Sequence, residues 1–172
     1  MRKKVVDIKK FQHKIGMRLD LGCGESVQPN FVGMDKKAYP DVDIVHDAQD
    51  FPYPIPDNSC ITILMSHLWE HIEPKYRMDL MEELWRIMKP NGQLLISVPY
   101  YLSIGANQDP THYPCPNEIT FTYFDPNYPM YNIYKPSPWK IIGNDYKMVG
   151  NLEVIMEAVK TPPKTTKKGG SK

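Results

Sequence analysis

Residues 17–24, MRLDLGCG, carry an apolar alternation straight into Gly22-x-Gly24, and only six residues separate Gly24 from Phe31, where the next apolar run begins. An alternation that ends in glycines reads as a buried strand followed by a sharp bend, because glycine turns the backbone and lets another group approach with no Cβ in the way. Six residues leave no room for a normal helix. The chain therefore passes from its first strand to its second through a glycine bend with a truncated helix at most. That argues against a dinucleotide fingerprint, which continues to a third glycine and a helix whose N-terminus faces a pyrophosphate.

The remaining elements follow from periodicity. FVGMD (31–35) reads as a second strand and VDIVHD (42–47) as a third. CITILMS (60–66) reads as a fourth, near-continuously apolar as suits a parallel strand covered on both faces. In PKYRMDLMEELWRIMK (74–89), Met78, Leu80, Met81, Leu84, Trp85 and Met88 recur at mostly helical spacing, with Pro74 at the start and PNG at the end as boundary signals. QLLISVPY (93–100) is a fifth strand, and residues 138–160 give two β-like runs around a tight Gly150-Asn151, a closing antiparallel pair. This order predicts an α/β fold, a Rossmann-like doubly wound and mainly parallel sheet with a terminal antiparallel strand pair. A length of 172 residues with 41% hydrophobic content suits one domain, taken here as residues 1–160.

Residues 99–138 differ in character, holding seven of the eleven tyrosines and eight of the seventeen prolines with little periodicity. A long ordered loop at the carboxyl edge of a parallel sheet is placed to cover a ligand. The alternative is an aromatic plug that completes a small core.

Charge is uneven. Arg2, Lys3, Lys4, Lys9, Lys10 and Lys14 against Asp7 give the first fourteen residues +5, and Lys160 to Lys172 carry five lysines and no acid. With a net charge of +1, the segment between stands at −9, a poor general phosphate-binding channel, so nucleic acid is not the expected partner of the core. The basic ends could contact an anionic partner, and residues 161–172 have the composition of a disordered tail. There is no apolar run of membrane-spanning length and no signal-peptide core, and Cys23, Cys60 and Cys115 form no C-x-x-C pair. A cytoplasmic protein with reduced thiols is expected.

Acidic residues close the first three strands. Asp20 lies beside the glycines, where it could meet an ammonium group. Asp35 ends the second strand, where a carboxylate can take both hydroxyls of a ribose, and Asp47 ends the third, where it and the next backbone N–H can meet an adenine edge. Three carboxylates on one sheet edge are hard to explain as separate turn residues.

With these motifs in their order, LDLGCG, GMDKKAYPDVDIVHDAQDFPYPIPDNSC, SHLWEHI, LMEELWRIMKPNGQLLISVPYY and DPTHYPCPNEITFTYFDP, the chain resembles the class I S-adenosylmethionine-dependent methyltransferases, in a small type 11-like branch, over about residues 17–125. The resemblance implies S-adenosylmethionine as cofactor and S-adenosylhomocysteine as product. It implies that Asp20, Gly22, Cys23 and Gly24 line the methionine part, that Asp35 binds ribose with Lys36 beside it, and that Asp47 and Ala48 flank adenine. The loop after the fourth strand maps onto Ser66 and His67, with Trp69 and His71 nearby.

Methyl transfer from a sulfonium is a displacement in which the protein mainly positions the reactants, with a base only if the acceptor must lose a proton. Tyr100, Asp109 and His112 are the candidate catalytic residues, on the segment after the fifth strand. A small-molecule, sugar or lipid-type acceptor is expected, because no N-P-P-Y-like string or Pro-Cys nucleophile follows the fourth strand as in DNA-methylating enzymes of this fold. A non-catalytic binding module of the same fold, acting through a partner, is the alternative. His67-x-x-Glu70-His71 has the spacing of one zinc-peptidase class, but those enzymes need both histidines on one continuous helix, and Pro74 follows His71 too closely. No metal site is expected.

Overall fold

The computed structural model describes residues 16–160. Seven strands form one sheet in the order β3-β2-β1-β4-β5-β7-β6. The strands are β1 (Met17–Leu21), β2 (Val32–Asp35), β3 (Ile44–Val45), β4 (Cys60–Ser66), β5 (Met88–Pro99), β6 (Trp139–Tyr146) and β7 (Asn151–Ala158). β1 to β5 pair in parallel, and β7 runs antiparallel to both β5 and β6. The expected parallel sheet with a closing antiparallel pair is present, and the chain passes from β1 to β2 with no helix at all.

Only one α-helix exceeds four residues among those described, α1 (Arg77–Ile87), which carries the β4 to β5 crossover and buries Leu80, Met81, Leu84 and Ile87. It starts three residues later than the pattern indicated, because residues 74–76 form a tighter 3-10 turn led by Pro74. The PNG stretch does not separate helix from strand. Met88 already pairs with Cys60, and the ladder shifts register before Thr62 pairs with Gln93, so the Asn91-Gly92 bend is an irregularity inside β5. β3 shrinks to two residues because the Asp43 carboxylate accepts the Gly33 N–H at 3.1 Å.

Burial alternates along the central strands instead of covering both faces. Ile63 and Met65 of β4, Leu94, Ile96 and Val98 of β5, and Leu152, Val154 and Met156 of β7 are almost fully buried. On the opposite side Leu64, Leu95 and Ile155, paired across β4, β5 and β7, are only partly covered beside Thr62, Ser97 and Glu153.

Residues 99–138 divide into two parts. Residues 117–138, with the 3-10 turn Thr120–Phe124 and a short helix, pack Phe121 against Trp69 at 5.0 Å and lead into the buried Trp139. Asp125, 1% exposed, accepts the N–H groups of Asn127 at 2.9 Å and Ile141 at 2.8 Å, which fastens this plug to β6. Residues 99–116 instead lie beyond the carboxyl ends of β4 and β5. Arg77 holds them there by donating to Pro114 O at 2.9 Å, and Tyr113 N–H by donating to Glu70 O at 2.8 Å.

No helix among the described residues is long and apolar enough to cross a membrane. Residues 1–15 and the expected tail, residues 161–172, lie outside the described residues.

Candidate cofactor and acceptor site

The glycine bend is held from within. Gly22 and Gly24 have φ of +73° and +59°, the left-handed region that favours glycine. Gly22 N–H and Cys23 N–H both donate to Met34 O, at 2.8 and 3.3 Å. Gly24 N–H donates to Asp35 Oδ2 at 3.0 Å, and Gln28 N–H to Asp20 Oδ2 at 2.9 Å. A Cβ on Gly22 would lie 2.9 Å from Leu68 Cδ1, so the loop after β4 can pack here only against glycine, whereas a Cβ on Gly24 would meet nothing within 4 Å. The bend thus presents open space at Gly24. Its N–H groups are already spent, which leaves no cradle for phosphates.

The field around the bend is negative. Asp20 is 4% exposed, and burial raises its carboxyl above the ordinary value despite the opposing Gln28 hydrogen bond. Burial, then Asp20, Asp35 and Asp43, push the Cys23 thiol up to about 11.

A recess crosses the carboxyl ends of β1, β2 and β3. One wall is made by Leu21 and Gly22, by Met34 to Lys36 and by residues 46–49, and the other by Leu68, His71 and Ile72. Asp35 is half-buried at its centre, with Oδ1 accepting Lys37 N–H at 2.8 Å and Oδ2 accepting Gly24 N–H. A carboxylate has about four acceptor positions, so Asp35 keeps room for two further donors. Lys36, Asp47 and Ala48 border the recess as expected, and the Asp47 side chain caps Gln49 N–H at 2.9 Å. Ala48 is fixed by Tyr53, whose hydroxyl donates to Ala48 O at 2.8 Å and whose N–H is held by the buried Glu83 of α1 at 2.6 Å. Tyr53 and Glu83 are positioning residues that the motif reading did not reach, since neither stands near a strand end.

Other expected cofactor residues fall differently. Asp20, Cys23 and Gly24 form the bend beside the recess without bordering it, and neither Ser66 nor His67 borders it. β4 ends at Ser66 and turns at His67, with φ of +51°, which directs the chain so that Leu68 and Ile72 supply the apolar wall. His67 N–H donates to Ser97 O at 2.8 Å, and its ring lies between Asn151 Nδ2 at 3.2 Å and Glu70 Oε1 at 3.3 Å.

Two of the three candidate catalytic residues come together. His112 Nε2 is 3.8 Å from Asp109 Oδ2, and the His112 ring meets the His71 ring edge-on at 4.8 Å between centroids. Asp109 also accepts the N–H and hydroxyl of Thr111 at 2.8 and 2.7 Å, which hold its carboxyl below the ordinary range. Tyr100 stands among Tyr101 and Tyr146 and donates to Glu118 Oε1 at 2.8 Å, a bond that pushes its hydroxyl up to about 12. It stays protonated near neutral pH and can donate a hydrogen bond there, not accept a proton.

Comparison with known proteins agrees with this fold. Residues 23–96 match the family model described as a methyltransferase domain. No curated protein matches the chain in sequence. The chain is similar in fold to a SAM-dependent methyltransferase from Archaeoglobus fulgidus, at 17% identity and a TM-score of 0.60 over 87% of this chain and 89% of that one. It is similar to the 1,6-didemethyltoxoflavin-N1-methyltransferase of Burkholderia thailandensis, solved with 1,6-didemethyltoxoflavin and S-adenosylhomocysteine, at 12% identity and a TM-score of 0.62 over 92% and 80%. The [4+2]-cyclase SpnF shares the fold too, at 15% identity and a TM-score of 0.56 over 92% and 81%. By this match residues 23–96 are similar to methyltransferase domains, and the chain as a whole shares the fold of S-adenosylmethionine-dependent methyltransferases.

Proposed function

We propose that the chain binds S-adenosylmethionine in the recess at the ends of β1, β2 and β3 and directs methyl transfer to a small-molecule acceptor. The observation that carries this reading is Asp35, a carboxylate at the end of β2 with two acceptor positions filled by backbone and two left for the hydroxyls of a ribose. The rest of the recess fits the same ligand. Ala48 N–H has no acceptor among the described residues and suits an adenine ring nitrogen, while Leu68 and Ile72 offer an apolar wall to the base. The open space at Gly24 and the negative field around Cys23 suit a positively charged methionine end.

When bound, the cofactor supplies a sulfonium methyl group open to displacement. The protein's part is to orient the acceptor and, where the acceptor carries a proton, to receive it. His112, backed by Asp109, is the group suited to that second task, since one ring nitrogen faces the carboxylate and the other is left to accept. An acidic body disfavours a polyanionic acceptor. A sugar, lipid head group or small metabolite fits better, in line with the toxoflavin enzyme that shares the fold.

Calorimetry with S-adenosylhomocysteine tests the binding half, and conversion of S-adenosylmethionine to S-adenosylhomocysteine across a panel of hydroxylated and amine-bearing metabolites tests the transfer half. Saturable binding below about millimolar, with turnover of at least one panel member, is the expected result. No binding of either nucleoside at that level would overturn the reading, and binding without turnover would leave the alternative of a non-catalytic module.

A further inference from the structure

We propose that Glu70, His71 and His112 form a binding site for one first-row divalent transition-metal ion at the rim of the cofactor recess. A carboxylate oxygen of Glu70 and one ring nitrogen from each histidine lie within 4.8 Å of one another. Donors bound at about 2.0–2.2 Å stand closer than that around a single ion, so loading would draw them in by about an ångström.

The buried carboxylate is the feature that asks for a cation. Glu70 is 1% exposed and, among the described residues, neither of its oxygens accepts a hydrogen bond. An ionised carboxylate removed from water is costly unless it is paired or bound to a metal. Its one ion-pair contact among the described residues is His67 Nδ1 at 3.3 Å, on a side chain that is itself 52% exposed. Arg77 is close enough to sense Glu70 but gives hydrogen bonds to the carbonyls of Ile72, Pro114 and Trp69.

His112 is arranged as a ligand would be. Its Nε2 faces the Asp109 carboxylate at 3.8 Å, while its Nδ1 is buried without a partner. Metal-bound histidines commonly turn their other nitrogen to a carboxylate, which fixes the tautomer. The Tyr113 N–H to Glu70 O bond and the Arg77 to Pro114 O bond hold the two segments together, so the third donor comes from a distant part of the chain. The zinc-peptidase spacing would have needed His67 and His71 on one continuous helix, whereas this trio uses Glu70 and His71 with His112 from another segment. Two imidazoles and one carboxylate suit Zn²⁺, Co²⁺, Mn²⁺ or Fe²⁺ better than Mg²⁺ or Ca²⁺, which prefer oxygen donors. His71 also borders the recess. Resting on the methyl-transfer reading, the open coordination positions would take an acceptor hydroxyl and make it more acidic; the loaded ion would occupy the His112 nitrogen that the metal-free protein offers as a base, and the hydroxyl proton would then pass to solvent.

The test is a titration of the chelator-stripped protein with Co²⁺, followed by visible ligand-field absorption and by calorimetry. One equivalent should bind at micromolar concentration or below, and Zn²⁺ should displace it. Glu70→Gln and His112→Ala should each weaken binding at least tenfold, whereas Asp145→Asn, an exposed β6 carboxylate paired with Lys147, should not. X-ray absorption of the Co²⁺-loaded wild type should show two imidazoles and needs no variant to fold. No binding of Co²⁺ or Zn²⁺ by the wild type at millimolar metal would overturn the proposal, as would binding that both variants retain or a spectrum without imidazole scattering. S-adenosylhomocysteine calorimetry on the same stripped sample separates the two readings: cofactor binding without metal binding sinks only the metal site, and the converse sinks only the methyl-transfer reading.

Discussion

Asp35 is asked to hold both the protein and its ligand, and replacing it should reveal two separate losses. In Asp35→Ala, Gly24 N–H and Lys37 N–H lose acceptors at 3.0 and 2.8 Å. Hydrogen bonds to a charged acceptor contribute about 1.5–3 kcal/mol when desolvated, but Asp35 is only half-buried and Lys37 exposed, so water can replace much of what is lost. A stability loss of about 1–2 kcal/mol follows, a fall in Tm of roughly 2–8 °C for a domain of this size. The ligand loses two charge-assisted bonds from its ribose, worth about 3 kcal/mol together, or on the order of 100-fold in Kd. Asp35→Asn keeps one oxygen for one backbone donor, so it should lose less stability than alanine while still losing at least tenfold in affinity. Differential scanning fluorimetry and calorimetry with S-adenosylhomocysteine measure the two quantities on the same samples. Affinity unchanged within threefold in a folded Asp35→Ala protein would refute the ribose assignment.

Asp20→Asn should stabilise the protein at neutral pH. Burial raises the Asp20 carboxyl above its ordinary 3.8, so the native state binds the proton more tightly than the unfolded state and stability falls as pH rises through that region. Asparagine keeps an acceptor for Gln28 N–H and carries no charge, so its advantage should shrink as pH falls through the raised native value and be gone below about 4, and a gap in Tm constant with pH would contradict the sign. Arg77→Met should cost about 2 kcal/mol in urea denaturation, since it orphans carbonyls on both sides of the loop junction and removes a cation stacked 5.0 Å from the Trp69 ring; a change below about 0.5 kcal/mol would show that the junction holds without it. The Cys23 thiol, up at about 11, should resist alkylation at neutral pH, and its titration midpoint should fall further in a complex with S-adenosylmethionine than with S-adenosylhomocysteine, which lacks the sulfonium charge. Equal midpoints, followed by mass spectrometry with the fully buried Cys60 as an inert reference, would place the sulfonium away from the bend.

The parts legible in the sequence are those whose causes are local. The alternation of β1 into Gly22, the apolar run of β4 and the Asp at the end of β2 each announce themselves within a few residues, and the structure puts them where that pattern implies. Boundaries set by tertiary contact were not legible. Met88 belongs to β5 because Cys60 pairs with it across the sheet, a fact no window around PNG contains. The division of residues 99–138 likewise depends on distant partners, Trp69 for Phe121 and Arg77 for Pro114. The Glu70, His71 and His112 trio is the same case, since a helical template for H-x-x-E-H cannot see a donor delivered by another loop.

The shortened first crossover helps to explain the ligand, too. In a nucleotide-phosphate site the N–H groups at a helix N-terminus remain free to meet oxygens, and here the corresponding N–H groups of Gly22, Cys23 and Gly24 are taken by Met34 O and Asp35. The same bonds that let the bend form without a helix therefore remove its affinity for phosphate. What replaces them is a set of carboxylates, Asp20, Asp35 and Asp43, close enough to raise a neighbouring thiol. A pocket of that sign disfavours polyphosphates and favours a ligand whose nucleoside end is neutral and whose far end is cationic. Because Asp35 both closes the bend and borders the recess, such a ligand would bind to the group that shapes its own site, and tightening at one should be felt at the other.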